Sequence, residues 1–140
     1  MRVLLDSNGL IAAAISDGEC RRLLHRILRQ HQAVLSEEGL AETRRKLSDK
    51  FHQEKAVVAQ YLEKLRSLAE VLPAQPSPTP VSRDPKDDWV LAAALAGRCH
   101  CVLSGDADLW ALARYKRVVI LRPRDFLAFE AGRFRRRKGT

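Results

Sequence analysis

Arg2-Val3-Leu4-Leu5-Asp6-Ser7-Asn8 opens with a short apolar run that ends on an acid. The run suits a β-strand, and the acid stands where the strand must stop. Much later in the chain, Cys101-Val102-Leu103-Ser104-Gly105-Asp106 has the same form. If both strands belong to a parallel sheet, Asp6 and Asp106 project from strand carboxyl ends, where such folds bind their ligands.

Working outward, strand candidates recur at Ala33 to Leu35, Val71 to Leu72, Cys99 to Leu103 and Arg117 to Leu121. Longer stretches with helical periodicity separate them. Leu23, Leu24, Ile27 and Leu28 share one face over Cys20 to Gln30, and Val57, Val58, Tyr61, Leu62, Leu65 and Leu68 recur at helical spacing. Both stretches read as core-facing helices. Ser36 followed by Glu37 and Glu38 reads as a capped helix start that carries Glu42 and runs to about Leu47. Asp84-Pro85 reads as a second start, with Asp84 as cap, ahead of Val90, Leu91, Ala94 and Leu95. Five prolines between Pro73 and Pro85 make that stretch a connecting loop. Strands alternating with helices predict an α/β domain with a mainly parallel sheet over residues 1–130, followed by a basic tail over 131–140.

At 140 residues, 46% of them hydrophobic, the chain has room for one well-cored domain and not for two. It shows neither a membrane-spanning stretch nor a signal peptide, so a cytoplasmic location is expected. Cys20, Cys99 and Cys101 have no metal-finger spacing and read as small core residues in a reducing compartment. A formal net charge of +8 favours a polyanionic partner such as nucleic acid.

Within this basic chain, Asp6, Glu42, Asp87 and Asp106 each stand at a strand end or in the first turns of a helix. Four carboxylates gathered at one edge would repel one another unless a cation neutralised them, so the cluster predicts Mg²⁺ or Mn²⁺. Such ions serve phosphodiester hydrolysis without a nucleophilic side chain. The rest of the sequence agrees: no serine sits in a Gly-x-Ser-x-Gly elbow, and His25, His31, His52 and His100 lack ligand or catalytic spacing. Each acid also has an ordinary role open to it, Asp6 as a helix cap, Glu42 as a surface charge, Asp87 as a dipole partner and Asp106 as a turn former.

Taken together, Leu4-Leu5-Asp6-Ser7-Asn8, Leu35-Ser36 leading to Glu42, Asp84-Pro85-Lys86-Asp87-Asp88 before an alanine-rich helix, and Leu103-Ser104-Gly105-Asp106-Ala107-Asp108-Leu109 resemble a PIN domain. More narrowly, they resemble the VapC-like branch of toxin components from toxin–antitoxin systems. The resemblance runs from Met1 to about Phe129. It implies a three-layer α/β/α fold, a Mg²⁺- or Mn²⁺-dependent endoribonuclease, a homodimer, and a cognate antitoxin that occupies the active-site groove. Asp6, Glu42, Asp87 and Asp106 match the family's four acids, Asn8 and Ser104 match supporting polar positions, and Asp108 matches an accessory acid.

Ser7 and Ser104 stand where Thr is usual, yet each keeps a hydroxyl able to hold a carboxylate. Glu38 shares a helical face with Glu42, and Asp88 adjoins Asp87, so either could replace its neighbour; Asp87 is preferred because Ala94 follows it at the spacing of the family pattern. Arg44, Arg45 and Lys46, close behind Glu42, are candidates for RNA phosphate contacts, whereas Arg21, Arg22, Arg26 and Arg29 read as a solvated face. Trp89 and Trp110 read as core packing ahead of base stacking. The alternatives to a toxin are a nuclease of RNA maturation or of structured DNA, a catalytically silent PIN-like module binding RNA or protein, and a flavodoxin- or receiver-like domain.

Overall fold

The computed structural model describes residues 1–76, 80 and 84–135. Strands are β1 (Arg2–Leu5), β2 (Gln32–Ser36), β3 (Glu70–Leu72), β4 (Cys101–Leu103), β5 (Arg114–Tyr115) and β6 (Val118–Leu121). Helices are α1 (Ser7–Ile15), α2 (Glu19–Gln30), α3 (Glu37–Asp49), α4 (Lys55–Leu68), α5 (Pro85–Ala96), α6 (Ala107–Trp110) and α7 (Phe126–Glu130). The sheet runs β3-β2-β1-β4-β6-β5. All pairings are parallel except β5 with β6.

Strand periodicity divides the core into two layers. Val3, Leu5, Ala33, Leu35, Cys101 and Leu103 face Leu10, Leu24, Ile27, Leu65 and Phe126, from α1, α2, α4 and α7. Leu4, Val34, Val102 and Ile120 point the other way, onto Leu91, Ala93, Ala94 and Leu109 of α5 and α6. The result is the three-layer α/β/α arrangement expected from the sequence.

Local chemistry sets the boundaries. Ser36 caps α3 by accepting from the Gly39 amide at 2.9 Å, and Asp84 caps α5 through the Lys86 amide at 3.0 Å with Pro85 in the first turn. At the end of α5, a Cβ on Gly97 would lie 3.0 Å from Leu72 Cδ1 and 3.2 Å from Val34 Cγ1, so the helix turns back onto the sheet where only glycine fits without displacement.

Several expectations need correction. The strand predicted from Cys99 begins at Cys101, because the Cys99 amide still bonds back to Ala94 at the helix end. Glu42 stands in the second turn of α3, not the first. Val57 and Leu68, assigned to a core-facing stripe, are half exposed on α4, whose buried face is narrower than the pattern suggested. Arg21 and Arg26 are not simply solvated: Arg21 Nε donates to the Ala13 carbonyl at 2.7 Å, and Arg26 forks onto Glu130. Of the proline-rich stretch, residues 73–76 and 80 lack regular structure, while 77–79 and 81–83 lie outside the described residues. In the tail, Phe134 meets Phe129 edge to face with centroids 6.1 Å apart and packs on the core; residues 136–140 lie outside the described residues.

Candidate metal centre

Strand order fixes where the centre lies. From β1 the chain moves outward through β2 to β3, then returns to place β4 on the other side of β1, so the connections reverse direction between β1 and β4. That switch point opens a crevice at the carboxyl ends of the two strands. Leu5 is in register with Leu103, which sets the next residues, Asp6 and Ser104, side by side. Ser104 Oγ donates to Asp6 Oδ2 at 2.5 Å, and the same Oγ accepts from the Asp106 amide at 3.0 Å. A serine hydroxyl thus ties the first acid to the backbone of the last.

Asp6 Oδ1 accepts from the Gly9 amide at 3.1 Å and caps α1. The carboxyl is buried against Leu10, Leu23 and Leu24, which line a small apolar cavity of about 30 Å³ behind it. Burial raises its pKa to about 6 against the pull of the Ser104 and Gly9 hydrogen bonds, and the charges of Asp106 and Glu42 push it further up.

Carboxylate oxygens of Asp84, Asp87 and Asp106 all lie within 4.8 Å of one another. Asp87 is buried on the first turn of α5, and Asp106 caps α6 through the Asp108 amide at 2.9 Å. Asp84 was read from the sequence as a cap alone; it is a cap and also a member of this group. Asp88, next to Asp87 and buried like it, does not belong to the group. An all-carboxylate set is a donor set for a hard divalent cation, and three oxygens this close to one another suit a single ion.

Glu42, on α3, lies outside that group of three. Lys46 Nζ approaches its Oε1 at 2.9 Å and Lys86 Nζ at 3.5 Å. Burial opposes its charge, but Lys46, Lys86 and a hydrogen bond from Ser7 outweigh it and hold the Glu42 pKa below the ordinary range. Both serines that stand in place of threonine therefore hold a carboxylate. Glu38, the alternative acid on α3, accepts from the Gln75 amide at 3.0 Å through its Oε2, beyond β3.

Asn8, two residues beyond Asp6, and Asp108, two beyond Asp106, are exposed, and Arg44 and Arg45 are exposed on α3. Trp110 is half-buried under the Arg122 guanidinium, 5.0 Å from its ring centroid. Burial pushes the Cys99 thiol up to about 11 and the Cys101 thiol up to about 12, as befits core residues and not ligands.

A mainly parallel α/β sheet with three aspartate carboxylates converging at its topological switch is an arrangement that could hold a divalent cation. The PIN domain family model matches residues 2–108, and the chain belongs to that family. Among solved structures it is similar to VapBC2 from Rickettsia felis bound to a DNA fragment from their promoter, with 13% identity, a TM-score of 0.64, and coverage of 87% of this chain and 98% of that one. It is similar also to FitAcB from Neisseria gonorrhoeae, with 18% identity, a TM-score of 0.56, and coverage of 86% and 97%. At these identities the likeness concerns the fold. The comparison with curated proteins found no match.

Proposed function

We propose that this chain is a metal-dependent endoribonuclease and the toxin of a toxin–antitoxin pair. The observation that carries the reading is the group of Asp84, Asp87 and Asp106 at the switch point of a strongly basic chain. These three, with Asp6 and Glu42 adjoining, would hold Mg²⁺ or Mn²⁺. When bound, such an ion supplies positive charge against the phosphodiester and acidifies water for the attack.

The chain's own residues supply the frame. Asp6 is locked in orientation by one bond at each oxygen, from Gly9 and Ser104, so it cannot turn away when RNA approaches. Ser7 and Lys46 fix Glu42. Arg44 and Arg45, exposed on the helix that carries Glu42, suit contacts to RNA phosphates, which position a strand without reading its sequence. Asn8 and Asp108 border the same edge and are assigned supporting roles. A homodimer, a cognate antitoxin over the groove and action in the cytoplasm complete the reading. The antitoxin rests on the motif resemblance and on the likeness to VapBC2 and FitAcB. No helix among the described residues is long and apolar enough to cross a membrane.

The test is cleavage of labelled, mixed-sequence single-stranded RNA by purified protein in Mn²⁺ or Mg²⁺, with EDTA and an Asp87→Asn/Asp106→Asn variant as controls. Cleavage lost under both controls supports the nuclease. Absence of cleavage and of calorimetric metal binding, in folded protein free of inhibitor, would leave a silent binding module. Cleavage confined to structured substrates would favour a maturation or structure-specific nuclease.

A further inference from the structure

We propose that Lys86 is a resident counter-ion of Glu42 which a divalent ion must displace, so that the chain weakens and thereby sets its own metal affinity. The inference rests on the metal-dependent reading above.

Lys86 lies between the cap Asp84 and the buried Asp87, and its backbone amide is bonded to Asp84 at 3.0 Å. Its ammonium leaves α5 and reaches α3, 3.5 Å from Glu42 Oε1, the same oxygen that Lys46 approaches at 2.9 Å. Two ammonium groups on one carboxylate oxygen bring the charge of one divalent ion to the wall of an acidic crevice. They are not equivalent. Lys46 is one helical turn from Glu42 with a side chain 30% exposed, whereas the Lys86 side chain is 61% exposed and can swing into solvent.

Asp84 and Asp87, which flank Lys86 in sequence, contribute to the three-carboxylate group. A cation entering that group therefore meets the Lys86 charge and competes with it for Glu42. In the metal-free protein the lysine adds to the Lys46 charge on Glu42; with the ion in place it is surplus. Such an exchange leaves the centre ordered in both states.

The experiment is Mn²⁺ titration of the RNA-free protein by calorimetry, for wild type, Lys86→Met, Lys86→Arg, Glu42→Gln and the Lys86→Met/Glu42→Gln double variant. Freeing Glu42 Oε1 from its competing ammonium predicts Kd about three- to tenfold tighter for Lys86→Met. Lys86→Arg, which keeps the charge, should stay within about twofold of wild type. In the Glu42→Gln background the aspartate group keeps binding measurable, and there Lys86→Met should change Kd less than about twofold, because the competition has lost its object. Unchanged or weaker binding in Lys86→Met overturns the proposal, as does equal tightening in both backgrounds, which would mark a general charge effect. Wild-type protein that binds no Mn²⁺ would overturn the metal reading itself, a result distinct from any difference among variants.

Discussion

Asp6→Asn should stabilise the metal-free protein while disabling it. The folded carboxyl is held at about 6 against an ordinary 3.8, chiefly by burial. A group whose folded pKa is raised contributes fully below its unfolded value, and that contribution drains away as pH rises through the folded one. Ionised Asp6 costs the folded state about 3 kcal/mol at pH 7, about half that at pH 5 and well under about 1 kcal/mol at pH 4. Asparagine carries no such cost. Its oxygen can still accept from Gly9, and its amide can donate to Ser104 Oγ once that hydroxyl rotates. For a domain of this size the gain corresponds to roughly 10 °C in Tm. The assay is thermal unfolding in EDTA from pH 4 to 7.5, with Mn²⁺ added in a parallel series. The variant should melt higher at neutral pH, converge on wild type toward pH 4 and gain less from Mn²⁺. A variant no more stable than wild type at pH 7, or an advantage that persists undiminished at pH 4, would refute the reasoning.

Three further outcomes are expected. Ser104→Ala removes the hydroxyl that joins Asp6 to the Asp106 amide; the Asp6 pKa, followed by carboxyl NMR, should rise further, and RNA cleavage should fall at least tenfold with Kd for Mn²⁺ changed less than kcat. Asp84→Ser keeps a capping oxygen and should hold stability within about 0.5 kcal/mol in EDTA while weakening Mn²⁺ binding about tenfold; Asp84→Ala should lose about 1 kcal/mol as well. Phe126→Ala, at a fully buried ring, should cost about 3–5 kcal/mol by urea unfolding.

How much of this was legible in the sequence depended on the range of the physics involved. The strands at Val3, Val34, Val102 and Ile120 were readable because buried strands are short apolar runs, and the starts of α3 and α5 because capping is local chemistry at Ser36 and Asp84-Pro85. α1 did not stand out: Gly9 and the small Ala12, Ala13 and Ala14 blur any apolar stripe. The two-residue β5 exists only through its pairing with β6, which no local pattern announces. At the site, Asp6 and Asp106 followed from strand ends. Asp84's second role did not, because spacing shows which residue caps a helix but not where the remaining oxygen of that cap points. The two lysines on Glu42 were equally hidden: Lys46 could be inferred from its place one turn away, whereas Lys86 comes from another helix.

β1 precedes the other five strands in this sequence and lies in the middle of the sheet, flanked by β2 and by β4. The bond from Ser104 to Asp6 spans 98 residues of chain. Contacts of such separation close late, once the intervening loops have paid their closure entropy. Until residues 104–106 have been made, the nascent chain therefore carries a first acid that has neither its serine tether nor Asp106. The three-carboxylate group is complete only once Asp106, beyond β4, has been made, and a product that stops before β4 has the β3-β2-β1 strands but not that group.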